Sequence, residues 1–230
     1  ISKPERAEAQ KYITRLLFLT VRTGSPKTIT IRIIAGNFSL TGVIIVGPNI
    51  SIYGGFNGTE NRLNERVQGS KSELTMSTES ESIINVSSSR GIVIDGLTFK
   101  GVSGTGHAVH VENGGSITFN NCIFTGNNST ENGGAIYSTA PIPDKSTVII
   151  ADCIFTGNSS GMTVELFIKE FDPYCKQVDF GEKTGSGNSA TAGGGAIYAE
   201  CNSTVNIQDN GEFYRNTTEG MGGAVYVTSS

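Results

Sequence analysis

Three aspartates follow short, mostly apolar stretches of the chain and are the first candidates for chemistry. Asp95, Asp152 and Asp209 fall at nearly equivalent places. Carboxylates on neighbouring strands can bind Ca²⁺ or transfer protons in enzymes that cleave polysaccharides. Such enzymes also need Arg or Lys beside the carboxylates, and no basic residue shares these positions. Because Asp at a strand end usually hydrogen-bonds its own backbone, we interpret the three as turn residues and predict no catalytic residue.

The two histidines of the chain, His107 and His110, lie three residues apart. Residues at that spacing on a strand point to opposite faces, which disfavours their binding one metal ion. His107 also aligns with Gly134, a turn position in the repeat described next. We therefore predict neither a metal site nor a cofactor.

Short repeats supply the elements that position these residues. One motif is Cys-Ile-Phe-Thr-Gly-Asn and the other is Gly-Gly-Ala-Ile/Val-Tyr. Their copies lie at 122–127, 153–158 and, more loosely, 211–216, and at 133–137, 194–198 and 222–226. Apolar strands separated by Gly and Asn, repeating every ~30 residues, are typical of a solenoid. The sequence predicts an all-β fold, a right-handed parallel β-helix.

The chain divides into a lead-in and a rod. A Ser N-cap followed by Pro and Glu marks a helix start, so residues 1–27 are predicted to form a capping helix and lead-in that cover the first coil. Residues 28–230 are predicted to form the β-helix. Polar or irregular stretches interrupt the strand pattern near 59–80 and 159–190, and we predict that both are looped out.

Alternation along the strands predicts an outward column of ring side chains. Its members are His110, Tyr137, Tyr198 and Tyr226. Stacked rings at strand spacing could bind sugars or a partner surface. Packing between neighbours on the same face is the alternative, because such pairs stabilise a sheet by themselves.

Three asparagines lie three residues after the Phe of each repeat: Asn127, Asn158 and Asn216. In stacked parallel coils, equivalent asparagines fall above one another at the same turn. We predict that their amides form a ladder, each hydrogen-bonded to the next.

The four cysteines fall into two pairs. Cys122 and Cys153 stack inward at strand spacing, ~4.8 Å, whereas a disulfide needs Cβ atoms about 3.8 Å apart, so we predict buried thiols. Cys175 lies in the second looped-out segment and Cys201 follows the next strand. These two are the disulfide candidates.

Charge and composition limit the environment. A formal net charge of −4 argues against nucleic acid or an anionic membrane as partner. No apolar run reaches the ~18 residues of a membrane span. Asn-x-Ser/Thr triplets are common, and Asn57, Asn85 and Asn202 are the best glycosylation candidates. These features favour an extracellular or cell-surface location.

The Phe-x-x-Asn and Gly-Gly-Ala-Ile/Val motifs together resemble the repeats of chlamydial-type polymorphic membrane proteins. The resemblance covers about residues 28–230 and implies a secreted, rod-like surface protein, often adhesive. We predict an extracellular structural or adhesive module of a cell-surface or filament-forming protein, and not an enzyme. The alternative is a polysaccharide-active β-helix enzyme, a lyase or glycoside hydrolase.

The predicted partners are a protein or glycan at a cell surface, or copies of the chain itself. The second possibility comes from residues 222–227, a repeat strand with three residues after it. An open coil end would expose apolar side chains and unpaired backbone groups. We expect further coils or a stacked neighbour to cover it.

The cysteine pairs lead to a testable prediction. Peptide mapping of the native protein under non-reducing conditions should recover Cys175 joined to Cys201 and should find the Cys122 and Cys153 peptides unlinked. Recovery of Cys122 joined to Cys153 would contradict it.

Overall fold

The structure, a computed structural model, describes residues 28–60, 62–66, 69–139 and 144–161 with their side chains, and further strands by their backbone. Almost every regular element is a short strand. β1 spans Arg22–Thr23 and pairs antiparallel with β2. The first three coils contain β2 (Ile29–Ile34), β3 (Gly36–Leu40) and β4 (Ile44–Ile45); β5 (Ile50–Phe56), β6 (Ser72–Met76) and β7 (Ile84–Ser87); and β8 (Ile92–Asp95), β9 (Leu97–Lys100) and β10 (Val109–Glu112).

The later coils add a fourth short strand after the second. They contain β11 (Ser116–Asn120), β12 (Ile123–Thr125), β13 (Asn128–Ser129) and β14 (Ile136–Ser138); β15 (Ser146–Ala151), β16 (Ile154–Thr156), β17 (Ser159–Ser160), β18 (Asp179–Phe180), β19 (Ser189–Ala190) and β20 (Ile197–Ala199); and β21 (Ser203–Gln208), β22 (Glu212–Tyr214), β23 (Thr217–Thr218) and β24 (Val225–Val227). A 3₁₀ turn, η1, spans Leu63–Glu65.

Each coil gives one strand to each of three long sheets. The first sheet has the order β1-β2-β5-β8-β11-β15-β21-β18, the second β3-β6-β9-β12-β16-β22 and the third β4-β7-β10-β14-β20-β24. A small fourth sheet has the order β13-β17-β19-β23. Apart from β1 with β2, the pairs are parallel, which confirms the predicted parallel β-helix. The predicted right-handed sense follows the general rule for parallel connections. The predicted N-terminal helix lies outside the described residues.

The core is a stack of equivalent side chains pointing into the coil. Phe124 lies between Phe99 and Phe155, with ring centroids 4.8 and 4.6 Å apart and nearly parallel planes. Phe119 packs edge-on against Phe99 and Phe124. Ring pairs of this kind contribute about 0.5–1.5 kcal/mol beyond the burial of their area. The narrow cross-section of these coils is therefore filled by one or two rings each, together with aliphatic side chains.

Cys122 and Cys153 belong to the same interior and are buried free thiols, as their register predicted. The backbone N–H of Cys122 donates to Cys153 Sγ at 3.3 Å. Burial raises the pKa of the Cys122 thiol, and the neighbouring Cys153 adds to the shift.

The turn after the second sheet holds two fully buried asparagines, Asn127 and Asn158. Asn127 Nδ2 donates to Asn158 Oδ1 at 2.8 Å and to the carbonyl of Phe99 at 3.2 Å. Asn127 Oδ1 accepts from the backbone N–H of Val102 at 3.3 Å. Asn158 repeats the pattern one coil on, donating to the carbonyl of Phe124. Each amide thus pairs backbone groups that the turn leaves without a strand partner.

Part of the segment predicted to loop out near 59–80 is a strand of the second sheet, so that boundary was wrong. In β6, Ser72, Leu74 and Met76 point inward and are buried. Ser72 breaks the apolar pattern because its hydroxyl donates to the carbonyl of Ile34 at 2.7 Å and accepts from the N–H of Gly55 at 2.8 Å. The excursion therefore ends before β6. Similarly, the two ends of the segment near 159–190 pair with each other as β17 and β19.

Segments outside the regular coils pair with both edges of the first sheet. β1 covers β2 at one edge, and β18, from within the second looped-out segment, pairs in parallel with β21 at the other. At that edge of the first sheet, part of the chain itself occupies the place predicted for another coil or copy. At the corresponding ends of the second and third sheets, β22 and β24, pairing with a further coil or a second copy remains a prediction.

Replacing Asn127 by Ala should lower the free energy of unfolding by roughly 1–3 kcal/mol for each buried group left unpaired, chiefly the N–H of Val102 and the carbonyl of Phe99. Urea unfolding followed by circular dichroism measures the change. Asn128→Ala is the matched control, because Asn128 is the next residue and is exposed. Equal stability of the two variants would contradict the role assigned to Asn127.

Candidate functional site: an aromatic column and a polar cleft

The outward column predicted from the sequence lies on the third sheet. Strand pairing places Ile45, Asn85, His110, Tyr137, Tyr198 and Tyr226 opposite one another, coil by coil. The rings of His110 and Tyr137 stack with centroids 5.0 Å apart and planes 27° apart. Both side chains are half-buried, and Ile45, at the start of the column, is 65% exposed. The surface thus combines half-buried aromatic side chains with an exposed aliphatic residue.

His107 joins this column, although the spacing predicted that it would face away from His110. Its ring lies 5.7 Å from that of His110 and 4.9 Å from that of Tyr137. The rule for strands does not apply because β10 begins at Val109, so His107 belongs to the preceding turn. The described part of the chain contains no group of three potential metal ligands.

Burial is the main feature of His107. It lowers the pKa of the imidazole to about 4, and the neighbouring His110 adds to the shift. The hydrogen bond to the carbonyl of Gly133, 3.0 Å from Nδ1, raises the pKa but offsets this lowering only in part. At neutral pH, His107 is therefore uncharged, with Nδ1–H as the donor to Gly133.

The glycosylation candidates differ in accessibility. Asn57 is exposed and its Oδ1 accepts from the hydroxyl of Thr59 at 2.8 Å. Asn85 is half-buried within β7, and its Nδ2 lies 3.4 Å from Glu112 Oε1. Asn202, Asn216, Cys175 and Cys201 lie outside the described residues, and Tyr198 and Tyr226 are described by their backbone only.

A second feature, absent from the sequence predictions, is a cleft of about 420 Å³ beneath the excursion between β5 and β6. At its edge, Arg66 Nη1 donates to Asp95 Oδ1 at 2.7 Å. The expectation that no basic residue lies beside the aspartates is therefore wrong for Asp95. No sequence spacing indicated it, since Arg66 lies on the excursion, 29 residues earlier in the chain.

Strand register also separates the aspartates that looked equivalent. Asp95 lies opposite Asn120, which lies opposite Ala151, so Asp152 is one position later. Asp152 and Asn121 both have positive φ, 51° and 52°, in the turn between the first and second sheets. This left-handed conformation is one that Asp and Asn tolerate, and it explains their presence there.

Arg66 fastens the excursion to the first sheet. Its Nε donates to the carbonyl of Leu63 at 3.1 Å, and Nη1 also approaches the carbonyl of Gly54 at 3.4 Å. The guanidinium lies 5.8 Å from the ring centroids of both Tyr53 and Phe56. These contacts hold the charged group in one place at the mouth of the cleft.

Comparison with known proteins gives one match. Residues 121–139 and 186–200 match the Chlamydia polymorphic membrane protein repeat, which confirms the resemblance drawn from the motifs. The first stretch spans β12 to β14 and the second spans β19 and β20. No curated protein and no solved structure matches the chain. Among the described residues, no helix is long and apolar enough to cross a membrane.

The lowered pKa of His107 leads to a prediction about how the free energy of unfolding depends on pH. The unfolded imidazole binds its proton below about pH 6.5, whereas the folded one resists protonation until about pH 4. The protein keeps its full stability above about pH 6.5 and loses about 3 kcal/mol progressively as the pH falls from 6.5 to 4, because in that range the unfolded state binds the proton and the folded state does not.

His107→Asn, which retains a donor for the carbonyl of Gly133, should flatten the dependence of unfolding free energy on pH between 7 and 4. Urea titrations at several pH values measure it. His110→Asn, which removes the other imidazole, should keep most of the slope. Parallel pH profiles for wild type and His107→Asn would contradict the assignment.

Proposed function

We propose that this chain is a structural and adhesive module of an extracellular, cell-surface protein, and that it contacts a protein or glycan through the outer face of its third sheet. The observation that carries the proposal is the stacked pair of His110 and Tyr137, in register with two further tyrosines. The matched polymorphic membrane protein repeats support the surface location.

The geometry of the column suits recognition. Each coil adds one residue at strand spacing, ~4.8 Å, so a partner meets a regular row along the rod. Tyr is a rigid side chain with both apolar and polar atoms, and it loses little conformational entropy on binding. The exposed Ile45 extends the surface with apolar area. A row of this kind binds an extended partner by repeated, individually weak contacts.

One observation favours the alternative function, a polysaccharide-active enzyme: Arg66 and Asp95 meet at the edge of a cleft. A glycoside hydrolase requires two carboxyl groups across the scissile bond. Among the described residues that line the cleft, Asp95 is the single carboxylate, and it is paired with the guanidinium. We therefore prefer the non-catalytic function.

Tyr137→Thr tests the proposal, because Thr suits a strand but removes the ring. Binding of the labelled 230-residue chain to cultured mammalian cells, measured by flow cytometry, should fall at least about fivefold, the loss expected for one interface aromatic. Ile149→Thr is the matched control, since Ile149 is an outward, half-buried residue of the first sheet that lies outside both the column and the cleft lining.

Circular dichroism of both variants establishes that they are folded. Equal binding by the Tyr137 and Ile149 variants, or no binding by the wild-type chain, would contradict the proposal.

A further inference from the structure

We propose that the cleft beneath the excursion between β5 and β6 binds a saccharide that carries a carboxylate group. This site is separate from the aromatic column: it lies where the first sheet turns into the second, and it uses other residues. Its volume, about 420 Å³, lies within the range of small-molecule sites, ~300–1,000 Å³.

The lining has the mixed character that a sugar requires. Leu63 and Ile123, both half-buried, supply apolar area against which the C–H face of a sugar ring can pack. Asn64 and Asn121 place side-chain amides, each with a donor and an acceptor, around that area. A ligand that satisfies both needs an apolar face and several hydroxyl groups.

The charges select an anionic sugar. Arg66 and Lys71 line the cleft against one carboxylate, that of Asp95, so this surface is locally positive on a chain with a net charge of −4. Arg66 and Asp95 largely neutralise each other at 2.7 Å. Lys71 is exposed and, in the described part of the chain, forms no ion pair. Its ammonium is the group that can take a ligand carboxylate.

Asp95 also distinguishes a carboxylated sugar from a sulfate ion. Its carboxylate can only accept hydrogen bonds, so an ion that offers acceptor oxygens alone gives it no donor. A sugar instead presents hydroxyl donors to Asp95 and an anionic group to Lys71. The ligand must therefore carry both.

The site is held in shape before a ligand arrives. Arg66 is fixed by Asp95, by the carbonyls of Leu63 and Gly54, and by two aromatic rings. Gly96 leaves room for it: a Cβ there would lie 2.8 Å from Arg66 Nη1, and the φ of Gly96 is +73°. A rigid site loses less conformational entropy on binding, which favours a small ligand.

Isothermal titration of the 230-residue chain tests the inference. The acidic probes are α2,3-sialyllactose and trigalacturonate, which distinguish a sialoglycan from a uronate polymer; lactose and galactotriose are their neutral counterparts. At least one acidic probe should bind. Its neutral counterpart should bind at least about tenfold more weakly, because it lacks one charge-assisted contact. Added NaCl should weaken binding of the acidic probe.

Two exposed substitutions locate the site without disturbing the core. Lys71→Gln removes the proposed partner of the carboxylate, and Asn121→Asp adds a repelling charge at a residue whose φ of 52° Asp also tolerates. Each should weaken binding of the acidic probe about tenfold. Lys145→Gln, an equal charge change at an exposed residue outside the lining, should leave binding unchanged.

Three results would overturn the inference: no binding of either acidic probe up to millimolar concentration, equal binding of the neutral sugars, or equal affinities of the Lys71 and Lys145 variants. Tyr137→Thr should leave these titrations unaffected. Failure of this site and failure of the aromatic column as the adhesive surface are therefore distinguishable.

Discussion

Each coil of this protein is stabilised by the coils on either side of it, because every strand of the rod pairs in parallel register with its equivalents. That register dictates which residues can stand inside. Rings at equivalent inward positions stack on one another, as Phe124 does between Phe99 and Phe155. A buried amide needs an amide or a backbone group, as Asn127 has in Asn158 and Val102. Stacking of like on like therefore explains both the core and the repeated motifs in the sequence.

The same rule decides what the sequence could predict. The stacking of the repeated Phe and Asn residues could be predicted because each recurs at a fixed offset in the repeat. Equivalent residues of neighbouring parallel coils lie next to one another. The inward position of Ser72 could not be predicted, because a polar residue interrupts the apolar pattern there. Its hydroxyl is hydrogen-bonded to the carbonyl of Ile34 and the N–H of Gly55, and no local sequence pattern indicates these partners. Arg66 was missed for a related reason, since it reaches Asp95 from an excursion that has no counterpart in other coils.

His107 marks the limit of reasoning from alternation. The rule that neighbours three apart face opposite sides holds within a strand, and β10 starts two residues after His107. A turn residue can direct its ring to either side. Here it reaches the rings of His110 and Tyr137, where burial keeps the imidazole neutral. His107 and Arg66, whose contacts the sequence did not predict, thus lie where the regular coil is interrupted, at a turn and at an excursion, whereas His110 and Tyr137 lie on regular strands of the third sheet.

The pairing of β18 with β21 also affects the order in which the chain can fold. β18 precedes β21 in the sequence, yet in the first sheet it lies beyond β21, on the side away from β15. Folding that proceeds coil by coil during synthesis from the N-terminus reaches Asp179–Phe180 before their partner strand, Ser203–Gln208, has been made. The segment has to wait while the fifth and sixth coils form beneath it. Growth of the rod is therefore not strictly sequential here, because this segment can pair with the first sheet only after a strand made later has docked.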